Sequence, residues 1–148
     1  MDKKTILLVE DNPDDEALAL RALRKCNAAG EVVVARDGLE AVNYLFGAGA
    51  YAGRDMSVMP ELILLDLKLP KLNGLEVLRR LRSDHRTRLL IVVVLSSSSE
   101  EKDIASSYEL GANSYLRKPE EFVPFAETME KMGYYWLVLN TAPPAVEC

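Results

Sequence analysis

The sequence predicts one α/β domain built on a parallel sheet, and three observations carry that expectation. Five short apolar runs recur along the chain: Thr5–Val9, Val32–Ala35, Leu62–Leu65, Leu89–Leu95 and Ala112–Leu116. Four of them are nearly continuous in Val, Ile and Leu. Such runs mark strands buried on both faces, as in a parallel sheet. Segments of helical character separate them, and strands alternating with helices build such a sheet through right-handed crossovers. The length, 148 residues, suits a single domain. A domain of that size buries roughly 68–70% of its unfolded surface and needs no staple.

The elements follow in order. Thr5–Val9 is the first strand. Pro13 opens the first helix, with Asn12 as its cap. Asp14, Asp15 and Glu16 put negative charge in its first turn, where the helix dipole favours it. Asp14 and Asp15 are therefore read as helix-terminal acids and not as ligands. After the strand Val32–Ala35, Asp37-Gly38 opens a second helix over Leu39–Phe46. Gly47–Met59 (GAGAYAGRDMSVM) is the longest irregular piece and is expected to be a loop. Leu62–Leu65 is the third strand. Gly74 precedes a helix over Leu75–Arg82, with Leu75, Leu78 and Leu81 or Arg82 at helical spacing. Arg79, Arg80 and Arg82 read as a solvated helix face, and His85, the one histidine, as an exposed loop residue. Leu89–Leu95 is the fourth strand. The next helix runs from near Glu100 to Leu110 and stops at Gly111, a good C-terminal glycine. Ala112–Leu116 is the fifth strand, and a last helix runs from near Glu120 to near Asn140. Residues 1–140 form the domain. Thr141–Cys148, with Pro143-Pro144, is expected to be a mobile tail.

Composition narrows the function. Apolar residues make up 49% and charged residues 28%, a globular balance. The longest apolar run, Leu89–Leu95, falls far short of the roughly 18 residues of a membrane span. The amino-terminal residues lack a signal-peptide pattern. No membrane partner is expected. A net charge of −5 lacks the basic footprint of nucleic-acid binding, and the domain leaves no room for a separate DNA-binding module. Cys26 and Cys148 make neither a disulfide framework nor a metal motif, so both read as reduced thiols of a cytoplasmic protein.

Ligands of parallel α/β sheets sit beyond the carboxyl ends of the strands. Glu10-Asp11 follows the first run, Asp66 the third, Ser96 the fourth, and Lys118-Pro119 the fifth. Three carboxylates, a hydroxyl and an ammonium are therefore expected on one edge. Crowded carboxylates repel unless a cation binds or one of them protonates. Acid oxygens with open positions suit Mg²⁺. A carboxylate beside such a metal can accept a phosphoryl group as an acyl phosphate. A nearby lysine then pairs with the added charge, and a hydroxyl donates to the phosphoryl oxygens.

ILLVEDNPDD (Ile6–Asp15), LILLDLKLPKLNG (Leu62–Gly74), VVVLSSS (Val92–Ser98) and SYLRKP (Ser114–Pro119) together resemble a receiver domain of the two-component response-regulator family, over residues 4 to about 140. The resemblance implies a flavodoxin-like, doubly wound fold: a five-stranded parallel sheet of order 2-1-3-4-5 with helices on both faces. It implies that Asp66 accepts a phosphoryl group from a sensor histidine kinase. Asp11 would bind Mg²⁺ directly, Glu10 mainly through metal-bound water, and Lys68 through its backbone carbonyl. Ser96 would be the switch hydroxyl, with Ser97 the alternative in the run Ser96–Ser99. Lys118 would pair with the phosphate, Tyr115 would be the switch aromatic, and Pro119 would follow a cis peptide bond. More narrowly, the long loop before the third strand, the DLKLPK stretch and Tyr135-Trp136-Leu137 resemble single-domain regulators partnered with bacterial phytochromes. One departure is Lys68, where that subfamily often has asparagine; its side chain is expected to shield the acyl phosphate from water.

Other readings stay open at this point. A hydrolase of the haloacid dehalogenase type also uses an aspartyl nucleophile and Mg²⁺, but it needs a second acid where Lys68 stands. A flavin-binding domain needs a phosphate-binding loop where the chain has acids. A phosphorylation-independent dimeric adaptor needs only the dimer. The last helix points to that dimer. Phe125, Met129, Met132, Trp136 and Leu139 form one core stripe. Tyr134, Tyr135, Leu137 and Val138 add apolar surface on its other sides. This predicts a homodimer through the fifth helix, with the fourth helix and strand 5, against the plainer alternative of a helix packed under the tail.

Overall fold

The computed structural model describes residues 4–26 and 29–144. The strands are β1 (Lys4–Val9), β2 (Ala29–Ala35), β3 (Leu62–Leu65), β4 (Val92–Ser96) and β5 (Ser114–Arg117). They form one sheet of order β2-β1-β3-β4-β5, and every pairing is parallel. The helices are α1 (Pro13–Arg24), α2 (Gly38–Phe46), α3 (Gly74–Ser83), α4 (Glu101–Glu109) and α5 (Phe122–Tyr134).

The continuous apolar runs serve two cores at once. Successive side chains of a strand face opposite ways. Ile6, Leu8, Leu62, Leu64, Val93 and Leu95 pack under α1 and α5. Leu7, Val9, Ile63, Leu65, Val92 and Val94 pack against α2 and α3. Asn12 caps α1 as expected. Asn12 Oδ1 accepts from the backbone N–H groups of Asp14 and Asp15, and Asp37 and Asn73 cap α2 and α3 in the same way. Gly111 takes a positive φ at the end of α4.

The loop 47–59 contains a 3₁₀ turn, Gly49–Tyr51, and folds back on α2. Tyr51 stacks edge-on against Tyr44, and Arg54 donates to the Tyr44 carbonyl at 2.8 Å. β4 starts at Val92 and not at Leu89, because residues 87–90 turn: Leu90 N–H donates to the Thr87 carbonyl, leaving Leu89 exposed. His85 is exposed, as expected. Arg82 is not part of a solvated face. Its guanidinium donates to the carbonyls of Gly111, Arg88 and Leu90 and to Asn113 Oδ1, tying α3 to the segments that lead into β4 and β5.

The end of the last helix corrects two expectations. Residues Tyr135–Leu139 form a π-helical turn, with Asn140 N–H donating to the Tyr135 carbonyl. The wider turn shifts the helical phase. Leu137 swings into the core and is only 2% exposed, so it cannot line a dimer interface in this arrangement, whereas Leu139, read as core, is 60% exposed. Lys4 Nζ holds the turn by donating to the Leu137 carbonyl at 2.8 Å. Trp136 packs partly buried against the same core. Tyr134, Tyr135 and Val138 are exposed. Residues 145–148, including Cys148 and half of the expected mobile tail, lie outside the described residues. Among the described residues, no helix is long and apolar enough to cross a membrane.

Candidate functional site

The parallel register gathers the chemistry at one edge. Val9 pairs with Leu65, so Glu10 and Asp66 leave adjacent strands side by side. Ser96 ends β4 opposite Arg117, and Lys118 is the next residue. The Lys118 N–H continues the ladder by donating to the Ser96 carbonyl at 2.7 Å.

Lys118 is the hub. Its side chain is 8% exposed, and its ammonium donates to Glu10 Oε1 at 2.5 Å, Asp15 Oδ2 at 3.0 Å and Asp66 Oδ2 at 3.1 Å. Burial opposes the ammonium, but the carboxylates of Glu10 and Asp66 outweigh it and hold Lys118 above the ordinary lysine range. Glu10 shifts upward, to about 7, chiefly through burial; the bond from Lys118 pulls it down and the charge of Asp66 pushes it up again. Glu10 Oε2 also accepts from the Asn12 N–H at 3.2 Å.

Glu10, Asp11 and Asp66 each present a carboxylate oxygen, and these oxygens lie within 4.8 Å of one another. Asp11 is exposed, which leaves an open side. An all-oxygen, part-open set of acids fits a hard divalent cation that keeps some of its waters.

The loop after β3 fixes Asp66. Lys68 N–H donates to Asp66 Oδ1 at 3.3 Å, and Gly74 N–H donates to the Leu67 carbonyl at 2.8 Å. The spacing from Asp66 to Gly74 has a steric reason: a Cβ on Gly74 would stand 2.2 Å from the Asp66 carbonyl oxygen. The Lys68 side chain is exposed and lines a shallow depression with Asp11, Pro70, Asn73 and Asp103.

Ser96 is buried, and its Oγ accepts from the Ser98 N–H at 3.1 Å. Tyr115 is half-buried, and its hydroxyl donates to the Ser98 carbonyl at 2.9 Å. Ser98 Oγ also donates to Asp103 at 2.6 Å. The residues expected to switch therefore meet at the loop between β4 and α4. The expected cis bond before Pro119 is absent, since no peptide bond among the described residues is cis. Trans is favoured by about 0.5–1 kcal/mol for an X–Pro bond. The trans chain already brings the Lys118 ammonium to the acids.

Sequence reasoning missed Asp15. A first-turn acid reads as serving the helix dipole, yet the Asp15 carboxylate accepts from the Lys118 ammonium at 3.0 Å. The signal that could have found it is its place one turn beyond Asp11, at the start of the helix that leaves the acidic strand end. At the opposite end of the sheet, Met56, Met59, Pro60, Leu89, Ile91 and Pro143 line an apolar groove that contributes nothing to this set.

A family model described as "Response regulator receiver domain" matches residues 6–129. Response regulator Rcp1 of Synechocystis sp. is 38% identical over 142 residues, covering 96% of this chain and 95% of Rcp1. The crystal structure of the Mn²⁺-bound form of Rcp1 matches with a TM-score of 0.89 at 37% identity, over 95% of this chain and 99% of that one. The phosphorylated cyanobacterial phytochrome response regulator RcpA gives a TM-score of 0.90 at 42% identity, over 96% and 99% of the two chains. The bacteriophytochrome response regulator AtBRR is 46% identical, with a TM-score of 0.76 over 97% and 99%.

Proposed function

The chain belongs to the response regulator receiver family, and from that premise we propose that it is a phosphorylation switch in which Asp66 accepts a phosphoryl group from a sensor histidine kinase, with a bacterial phytochrome as the kinase type. The observation that carries the reading is the convergence on Lys118 of Asp66 and two further acids, beside the metal-type trio. The likeness to the phytochrome regulators RcpA and AtBRR supports the choice of kinase.

An Asp66 carboxylate oxygen forms the bond to phosphorus. The phosphorus–nitrogen bond of the phosphohistidine breaks, and its electron pair stays on the imidazole. Glu10, Asp11 and Asp66, with the Lys68 backbone carbonyl, would hold Mg²⁺, which supplies neutralisation of the charge brought together there. Lys118 pairs with a phosphoryl oxygen. Ser96 turns its hydroxyl from the Ser98 N–H to the phosphoryl group, which frees the loop that also holds Tyr115. Two states of that loop give the switch its readout. Lys68, exposed at the mouth, shields the acyl phosphate from water.

The output surface is the face of α4, β5 and α5, and its partner is a second copy of this chain. Tyr108, Phe122, Val123, Tyr134, Tyr135 and Val138 are exposed on these elements and the turn that follows them. The complete acid set weighs against a phosphorylation-independent adaptor, and Lys68 stands where a dehalogenase-type hydrolase needs an acid.

The test is intact mass after incubation with acetyl phosphate, with and without Mg²⁺, beside Asp66→Asn. A gain of one phosphoryl group that needs both Mg²⁺ and Asp66 is expected. A gain that survives Asp66→Asn contradicts the assignment.

A further inference from the structure

We propose that Asp15 is a positioning residue for phosphoryl transfer, acting through Lys118; the inference rests on the receiver reading above. An ammonium has three N–H donors. In Lys118 all three are taken, by Glu10, Asp15 and Asp66. Glu10 and Asp66 also belong to the trio whose oxygens lie within 4.8 Å of one another, and Asp15 does not. A cation on that trio and a phosphoryl group on Asp66 draw on the two acceptors the trio shares with Lys118. The bond to Asp15 is the one that neither event uses.

Asp15 is well placed for this. It lies in the first turn of α1, and its own N–H is bound to Asn12 Oδ1 at 3.2 Å, so its carboxylate projects from a capped helix. Lysine is a point charge on a flexible four-carbon stem. A fixed anchor keeps that charge at the mouth of the site while its other two acceptors are drawn away. Pre-set geometry of this kind lowers the barrier to reaction. Asp14 is the built-in control: it shares the first turn and the dipole, but it is exposed and accepts none of the three Lys118 hydrogen bonds.

The chemistry to be followed is the transfer from acetyl phosphate at saturating Mg²⁺. The Asp66 oxygen bonds to phosphorus while the bond from phosphorus to the acetyl oxygen breaks, and acetate leaves with the electron pair. The rate is read by intact mass in the wild type, Asp15→Asn, Asp14→Asn, Lys118→Met and the Asp15→Asn/Lys118→Met double variant. Asp15→Asn is expected to slow transfer about fivefold, within the range of measured coupling between contacting residues. Asp14→Asn is expected to leave the rate unchanged, and Asp15→Asn to have no effect once Lys118 is Met. An Asp15→Asn rate equal to wild type, or an equal slowing in the Lys118→Met background, overturns the proposal.

A second readout needs no phosphorylation. In metal-free protein, the unfolding constants of the same variants are expected to show coupling of about fivefold between Asp15 and Lys118. Strict additivity overturns the tie. If the wild type gains no phosphoryl group, the proposed phosphorylation switch fails, and the unfolding cycle still decides whether Asp15 anchors Lys118.

Discussion

The carboxyl edge of the sheet and the end of the last helix treat burial in opposite ways. At the edge, charge is buried: Glu10 and Asp66 are at most 9% exposed and lie against an ammonium. At the helix end, apolar surface is exposed: Tyr134, Tyr135, Val138 and Leu139 are each about half exposed or more. The first arrangement costs desolvation and is held by opposite charge. The second leaves hydrophobic stabilisation unrealised. On the function proposed above, a cation and a phosphoryl group complete the edge, and a second copy of this chain covers the helix end.

The largest effect should separate two neighbours at the helix end. Leu137→Ala removes a fully packed side chain and is expected to cost about 2–5 kcal/mol in a denaturant melt. Val138→Ala, one residue on and exposed, is expected to stay within about 0.5 kcal/mol. Val138→Glu should leave the monomer intact and weaken self-association by light scattering. Equal costs for Leu137→Ala and Val138→Ala would break the contrast between buried and exposed sides.

The next effect lies at the edge and depends on pH. Burial pushes the Glu10 carboxyl up to about 7, from an ordinary value of 4.5. Between those values the folded chain holds a proton that the unfolded chain has lost. The stability of the metal-free protein is therefore expected to fall as pH rises from about 5 through 7. A divalent cation needs the deprotonated acid, so Mg²⁺ affinity should rise over the same interval, with proton release. Calorimetric titration at about pH 6 and pH 8 checks both the affinity and the protons. The smallest effect is at the rim: Lys68→Asn should shorten the lifetime of the phosphorylated form by a few fold, and an unchanged lifetime would remove its shielding role.

The two regions were not equally legible in the sequence. The strands were, because a sheet packed on both faces needs continuous apolar runs, and side chains just beyond them must meet at one edge. That is how Glu10, Asp11, Asp66, Ser96 and Lys118 came to be named together. Asp15 was missed because an acid in a first turn already has a local explanation. The helix end was misread because i, i+4 counting assumes 3.6 residues per turn throughout. The π turn at Tyr135–Leu139 breaks that phase, so Leu137 goes in and Leu139 goes out. Arg82 was read as solvated because its acceptors are backbone carbonyls from other loops, which no local pattern displays. The cis bond before Pro119 came from family likeness alone, and the chain reaches the same side-chain placement in trans.

The proposed switch requires that the acyl phosphate form on Asp66. Borohydride reduction of the phosphorylated protein, followed by peptide mass analysis, tests it most directly, because reduction of an aspartyl phosphate leaves homoserine at the modified position. Homoserine in place of Asp66, and at no other acid, is the expected result. Homoserine in place of Asp11 or Asp15, or a phosphoryl group retained on His85, would contradict the account.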